Sequence, residues 1–209
     1  MKNKNLLLAI ICLAWSLNNL QAQCFQKNSI YLDLGFGFAV YNTQSSAFNN
    51  AVVLNDHAAS IIVPLSFEYG IGNRIGIGAK LISNNYFTAI DSLTKTKPKA
   101  SSSEFAIFGN FHFLRTEHID FYGGITLAAS SFKYDRNDFL NTTVSGGGSM
   151  SDLHFESRFM FGRRLGLLAS LRFAKFNYAN IDYKNDFATF KMNLTGGGMA
   201  IGTGISYHF

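Results

Sequence analysis

A strict alternation of side chains along the last eleven residues is the feature that most constrains the fold of this chain. Every second residue back from Phe209 is Met, Ile, Thr, Tyr or Phe, and the residues between them are Ala, Gly, Ser or His. Successive side chains of a β-strand point to opposite faces. The segment is therefore predicted to be a strand with one largely apolar face and one small or polar face.

Seven earlier segments repeat this pattern, and their spacing predicts how the strands are connected. The eight alternating segments are 30–40, 61–69, 75–81, 105–113, 119–127, 153–161, 165–173 and 199–209. Three connections are short, around Gly72, Glu117 and Arg164. Four are long and polar, over residues 41–59, 83–103, 132–152 and 177–188. Such alternation of short and long connections is typical of a membrane barrel with tight periplasmic turns and longer external loops.

The first 22 residues have the features of a secretory signal peptide. Lys2 and Lys4 precede an apolar run over residues 6–15, and a polar stretch that ends at Ala22 follows it. The apolar run is about a dozen residues long, whereas a membrane-spanning helix needs ~20. We expect cleavage after Ala22, which leaves one barrel domain over residues 23–209. That processed chain contains one cysteine, Cys24, so no internal disulfide is expected.

Composition favours a membrane barrel over a nucleic-acid-binding protein. The chain is 47% hydrophobic and contains 21 Phe residues, few of which fall at helical spacing. The formal charge of +5 includes Lys2 and Lys4, and the other basic residues are scattered, so no nucleic-acid groove is predicted. The predicted fold is all-β: an eight-stranded antiparallel up-and-down transmembrane β-barrel with short periplasmic turns and four long external loops.

Aromatic side chains fall at the ends of the predicted strands. With the short turns on the periplasmic side, several aromatic residues should face outward near the periplasmic membrane interface, where barrels carry an aromatic girdle. These residues are Tyr69, Phe113, Phe121, Phe161, Tyr207 and Phe209. Outer-membrane lipids are the partners expected around this face.

Charged residues occupy the inward-facing positions of the same strands. The predicted lumen network consists of Asp33, Glu68, Lys80, Glu104, Asp120, Glu156, Arg158 and Arg172. An eight-stranded barrel is about wide enough to be filled by its own side chains, and charges inside it must be paired. We expect Glu156 to lie opposite or diagonal to Arg172 and to pair with Arg158. The network predicts a mostly closed polar lumen; inward glycines keep a narrow porin-like channel for small solutes as the alternative.

No catalytic, metal or cofactor site is predicted. His154 and Glu156 share the inward face, whereas Ser157 between them points outward, which opposes a nucleophilic triad. A metal site at His154 and Glu156 is disfavoured because Arg158 beside them would repel a cation. A lipid-modifying outer-membrane enzyme is therefore a weaker alternative than a non-enzymatic barrel.

Two local features need a separate explanation. The three glycines at 146–148 lie in a segment rich in Ser, Thr and Asn and are predicted to form a flexible loop tip. Pro64 cannot donate a hydrogen bond to a β-ladder, so we expect a bulge there or a strand that begins near Leu65.

The signal peptide, the eight alternating segments, the long loops and the terminal Tyr207-His208-Phe209 together resemble the small OmpA- and OmpX-type outer-membrane barrel families. The resemblance covers the processed chain but is one of pattern, so it transfers no binding residue. It implies residence in the cell outer membrane and contact with the barrel-insertion machinery, which reads the C-terminal strand in such proteins. It also implies a structural or surface-interaction role, with a surface ligand at the external loops.

Overall fold

The computed structural model is a closed ring of eight antiparallel strands. It describes residues 24–48, 51–89, 96–137 and 140–209, and the predicted signal peptide lies outside these ranges. The strands are β1 (Ile30–Ala47), β2 (Val52–Gly70), β3 (Ile75–Tyr86), β4 (Lys99–Arg115), β5 (Ile119–Arg136), β6 (Thr142–Phe161), β7 (Leu165–Lys184) and β8 (Thr189–His208). Each strand pairs with the next, and β8 pairs with β1. The predicted all-β, eight-stranded up-and-down fold is confirmed. Within the described residues, no helix is long and apolar enough to cross a membrane.

Apolar side chains cover the outside of the barrel next to its three short turns. Large outward residues there stay exposed, for example Phe36, Phe105 and Phe155 at 56%, 59% and 47%. We call this band the belt; it comprises the outward residues of 32–40, 61–69, 75–81, 105–113, 119–127, 153–161, 165–173 and 199–207. Nine strand residues extend about 30 Å, which after strand tilt is comparable with the ~25 Å apolar band of membrane barrels.

The alternation reverses beyond the belt. The strand segments that continue there, which we call the crown, have mostly polar outward residues such as Asn42 and Lys175. Their inward side chains include Tyr41, Phe176 and Tyr178, which are buried in one apolar cluster. The crown is thus patterned like a sheet of a water-soluble protein, with its apolar face toward the core. The belt has the opposite arrangement.

The segments predicted to be long loops are mostly crown strands. The connection between β1 and β2 is only 48–51, and the others at this end are 87–98, 137–141 and 185–188. The prediction missed these strands because it identified a strand by an outward apolar face, and the crown has its apolar face inward. The glycines at 146–148 are likewise not a loop tip, since they lie in β6 and pair with residues 130–132 of β5.

Pro64 lies inside β2, so the predicted bulge or strand start is wrong. The register between β1 and β2 is the same on both sides of Pro64, but the ladder omits the positions of Gly35 and Phe36 beside it. A Cβ atom on Gly35 would lie 2.8 Å from Cγ of Pro64, so only glycine leaves room for the ring. Because Pro64 has no N–H group to donate, the ladder between β1 and β2 is interrupted locally, and the strand continues on both sides of the interruption.

Residues 24–29, which we call the N-terminal cover, fold across the turn end of the barrel before β1 begins. The backbone N–H of Cys24 donates to the carbonyl of Thr116 at 3.3 Å, and the Arg115 guanidinium donates to the carbonyl of Phe25 at 3.1 Å. Cys24 and Phe25 are buried together with Tyr31 and Met160. The cover therefore closes the turn end of the lumen.

Candidate functional site

Arg158 of β6 is the centre of a buried charge network on the inner face of the belt. Three carboxylates lie within 3.3 Å of its guanidinium nitrogens: Asp33 at 2.7 Å, Glu68 at 2.5 Å and Asp120 at 3.3 Å. Asp120 is the direct cross-strand partner of Arg158, whereas Asp33 and Glu68 belong to β1 and β2 and are reached across the lumen. The rings of Tyr31 and Tyr122 lie 4.2 and 4.4 Å from Cζ of Arg158, within cation–π range.

His112 extends this network toward the N-terminal cover. Its Nδ1 lies 2.8 Å from Asp120 Oδ1, and its Nε2 lies 3.1 Å from Glu68 Oε1. Carboxylate oxygens accept hydrogen bonds, so both ring nitrogens must donate and the ring is positively charged. The ring of Phe25 stacks on His112 with 3.4 Å between centroids. The cover thus sits directly on the charge network.

A second group of charges lies nearer the crown and is joined to the first. Arg172 forms an ion pair with Asp152, and Nδ1 of His154 lies 2.9 Å from Oδ1 of Asp152. Asn110 donates to Glu68 at 2.7 Å through Nδ2, and its Oδ1 lies 2.8 Å from His154 Nε2. The two groups therefore form one continuous hydrogen-bonded structure along the lumen.

The structure places all eight predicted lumen residues inside the barrel, each at most 9% exposed. Glu156 lies diagonal to Arg172, whose direct partner is His154. The expected pairing of Glu156 with Arg158 is wrong: Glu156 pairs with Lys80 at 3.5 Å, and Arg158 turns instead toward the carboxylates of β1, β2 and β5. Glu104 stands apart from the ion pairs and accepts hydrogen bonds from Asn84 and Ser102.

The sequence prediction missed Asp152, the partner of Arg172. It was assigned to a loop, but the alternation of 153–161 continues through it and places it on the inward face with His154. His154 itself is fully buried, and both its nitrogens have partners. Ser157 lies on the outward side between Phe121 and Ala169, so the structure does not bring it to His154.

Little free space remains beside the network. A cavity lined by Lys80, Glu156 and Arg172, with inward glycines on its other wall, has a volume of about 20 Å³. A water molecule needs roughly 10–15 Å³ of such space, so the cavity holds about one. In the described part of the chain, no group of three His, Cys, Asp or Glu side chains is arranged to hold a metal ion.

Five aromatic rings from alternate strands close on one another across the crown. The centroid distances are 6.3 Å for Tyr41–Tyr86, 6.1 Å for Tyr86–Phe132, 5.5 Å for Phe132–Tyr178, 5.6 Å for Tyr178–Phe176 and 5.5 Å for Phe176–Tyr41. All fall in the range of favourable aromatic pairs. These residues form a complete cycle, the aromatic collar, which obstructs the lumen a second time.

A cup opens above the aromatic collar at the free end of the crown. Collar rings form part of its wall together with Tyr134 and Leu194, and Asp56 and Arg136 also line it. Its volume of about 650 Å³ is in the range of small-molecule sites, which are concave and largely apolar with a few polar groups. The cup is the concave surface of the crown that faces away from the belt.

The six predicted interface aromatics lie on the outside of the barrel at its turn end. Phe113 stacks on Phe121 with 6.4 Å between centroids, and Tyr207 meets Phe209 edge-on at 4.8 Å. Tyr69 and Phe161 lie at the other two short turns, between β2 and β3 and between β6 and β7, and both are exposed. Their contact with lipid remains a prediction.

A closed antiparallel barrel with an apolar outer belt and a charged interior is the architecture of an integral outer-membrane β-barrel protein. By the usual asymmetry of that class, the short turns are periplasmic and the crown is external. The fold thus defines the class of this protein.

Solved outer-membrane proteins share this fold. The chain is similar to the outer membrane protein OprG from Pseudomonas aeruginosa at 13% identity and a TM-score of 0.63, over 90% of this chain and 99% of that one. It is similar to the outer membrane protein AlkL at 12% identity and a TM-score of 0.58, over 88% and 92% of the two chains. The outer membrane protease OmpT from Escherichia coli matches at 7% identity and a TM-score of 0.50, over 92% and 100%. No protein-family model and no curated protein matches the sequence.

Proposed function

We propose that this protein is a non-conducting outer-membrane barrel that acts by binding a surface ligand at its external crown. The observation that supports the closed lumen most strongly is the size of the cavity beside Lys80, Glu156 and Arg172, which holds about one water molecule. The aromatic collar and the N-terminal cover add an obstruction on either side of it. A hydrated ion would have to displace buried ion pairs to pass.

Planar-bilayer recording tests the closed lumen. We expect no discrete current steps from the purified barrel under conditions in which a general porin gives them. Steps that persist after repurification and grow with salt concentration would instead establish the narrow channel for small solutes.

The external cup supports a binding role for the crown. Aromatic walls can stack on a flat or ring-shaped ligand, and the charged groups of Asp56 and Arg136 can orient its polar substituents. The closed lumen beneath the cup would retain the ligand at the surface instead of passing it on. The external loops and crown are therefore the proposed interaction surface.

Binding to a panel of immobilised surface glycans tests this role. We expect purified barrel to bind at least one glycan and the Phe132→Ala variant, which opens the collar and the cup wall, to lose that binding. The matched control is Phe105→Ala, which changes an aromatic residue of the outward belt and should bind like the wild type. No binding by wild-type barrel, or equal binding by both variants, would contradict a role for the cup.

We propose no catalytic role. His154 is buried with both nitrogens engaged, and the hydroxyl that faces it, Thr126 Oγ1 at 3.3 Å from Nδ1, is itself fully buried and so inaccessible to a substrate. The alternative of a lipid-modifying enzyme is tested by comparing the lipids of cells with and without the protein. We expect identical lipid profiles, and a modified lipid that appears only with the protein would establish the enzyme.

A further inference from the structure

A groove on the outside of the crown lies directly above the belt. It follows two successive outward rows of cross-strand partners, with one inward row between them, from β5 through β8 to β1 and β2. The row nearer the belt contains Leu127, Ser151, Lys175, Gly197, Asn42 and His57. The groove residues of the second row are all Ser, Thr, Asn or Gln. The groove is therefore rich in hydroxyl and amide groups that can both donate and accept hydrogen bonds.

The groove residues next to Lys175 have small side chains, whereas the belt residues on the periplasmic side of them have large apolar ones. Ser151 and Gly197 flank Lys175 as its cross-strand partners. Two residues closer to the periplasm on the same strands, Leu153 and Phe173 remain exposed at 46% and 45%. The step from exposed apolar to small polar residues marks the level at which hydrocarbon gives way to lipid headgroups.

Lys175 differs from two outward lysines that lie farther along the crown, Lys133 and Lys191. Lys133 pairs with Asp135 at 3.0 Å, and Lys191 pairs with Asp182 at 2.6 Å. Lys175 has no ion-pair partner in the part of the chain that the structure describes. The one carboxylate among the residues that line the groove is Asp56, which lies on the inward row with the cup residues, on β2, three strands away from β7 around the barrel. The charge of Lys175 is therefore available to an anion outside the protein.

We propose that this groove binds the phosphorylated sugar headgroup of an outer-leaflet glycolipid. Acyl chains that lie along Leu153 and Phe173 bring the headgroup to the row of Lys175. The Lys175 ammonium then pairs with a phosphate, and the Ser, Thr, Asn and Gln side chains of the second row hydrogen-bond to sugar hydroxyls. A phospholipid without a sugar would use the lysine but leave most of the polar groove without a partner.

The proposal depends on the barrel's residence in the outer membrane, but not on a closed lumen or on ligand binding in the cup. Its failure would leave the conductance and glycan-binding results unchanged. Conversely, a conducting barrel could still hold a glycolipid on its outer surface.

Native mass spectrometry of the detergent-solubilised, full-length barrel with added diphosphorylated lipid A tests the proposal. We expect wild type and Lys175→Arg to retain the lipid and Lys175→Glu to retain it roughly tenfold less, because a charge-assisted contact becomes a repulsion. Lys133→Glu is the matched control: it reverses an outward crown lysine outside the groove and should behave like wild type. The heat-dependent shift of each variant on a detergent gel verifies that the barrel is folded.

Two results would overturn the proposal. One is equal loss of lipid A from Lys175→Glu and Lys133→Glu, which would assign binding to net charge alone. The other is retention of phosphatidylglycerol as strong as that of lipid A, which would show that the sugar makes no contact in the groove.

Discussion

Residue by residue, nearly every buried charge in the lumen has an opposite charge beside it. Among the described residues, the buried cations of the lumen are Lys80, Arg158, Arg172 and His112, whose ring nitrogens both face carboxylates. The buried carboxylates are Asp33, Glu68, Glu104, Asp120, Asp152 and Glu156. These four cations face five of the six carboxylates, and the sixth, Glu104, accepts hydrogen bonds from the neutral Asn84 and Ser102. Desolvated ions of one sign alone would be too costly to bury.

Removal of the central guanidinium should be strongly destabilising. Arg158→Met keeps much of the side-chain volume but leaves Asp33, Glu68 and Asp120 as a cluster of buried negative charges. We expect a loss of about 3–5 kcal/mol in the free energy of unfolding, measured by denaturant titration in detergent micelles. Lys133→Met removes an exposed ion pair and should change it by less than about 1 kcal/mol. Equal unfolding midpoints for the two variants would contradict the network.

Cys24 should react slowly while the barrel is folded. Burial in the N-terminal cover, reinforced by the nearby Asp120 carboxylate, raises the pKa of its thiol to about 12. Because the thiolate is the reactive form, a raised pKa leaves very little of it at pH 8. We expect slow alkylation by iodoacetamide until the protein is unfolded. A Cys24→Ser, Ser131→Cys variant carries its thiol on the exposed side of the crown and should react quickly in the folded state; equal rates for both would refute burial.

At the scale of the strand, the sequence predicted the belt but little of the crown. In residues 32–40 and, except for Ser157, in residues 153–161, every second residue is apolar and faces outward, which is the pattern of a β-strand. Each of these strands could therefore be predicted from its own segment of sequence alone. In the crown the apolar residues of the alternation face inward instead of outward. Tyr41, Phe132 and Tyr178 belong to the core only because they pack in one cluster, and the contacts within it join strands that are far apart in the sequence. The contacts of Arg158 with β1 and β2 could not be predicted from the sequence either. Alternation predicts which face of the sheet a side chain occupies, but not how far the side chain extends across the lumen.

Two glycines in adjacent strands should respond in opposite ways to the same substitution. A Cβ atom on Gly124 of β5 would overlap Asn110 Oδ1 and lie 2.7 Å from His154 Nε2 inside the network. Gly124→Ala should therefore destabilise the barrel by about 1–3 kcal/mol in denaturant titration. Gly109 of β4 has open space around it, so Gly109→Ala should be neutral or slightly stabilising. A Gly124→Ala barrel as stable as Gly109→Ala would show that the network tolerates the added methyl group.

The whole molecule is one barrel built from two opposite patterns. In the belt, apolar groups face outward and charges face inward; in the crown, polar groups face outward and aromatic groups pack inside. The change occurs at one level around the barrel, above Val40, Leu153 and Phe173. One closed sheet can therefore be solvated by hydrocarbon along part of its length and by water along the rest. The proposed closed lumen and the external cup are both consistent with this reversal.

Tryptophan fluorescence in lipid vesicles tests this reversal most directly. The sole tryptophan of the sequence, Trp15, lies in the predicted signal peptide, so a substitution in the processed chain provides a unique reporter. We expect lipids brominated on their acyl chains to quench Phe155→Trp in the belt and to leave Phe132→Trp and Ser131→Trp in the crown unquenched, with aqueous iodide quenching Ser131→Trp. Quenching of Phe132→Trp by the brominated lipids, or none at Phe155→Trp, would contradict the account.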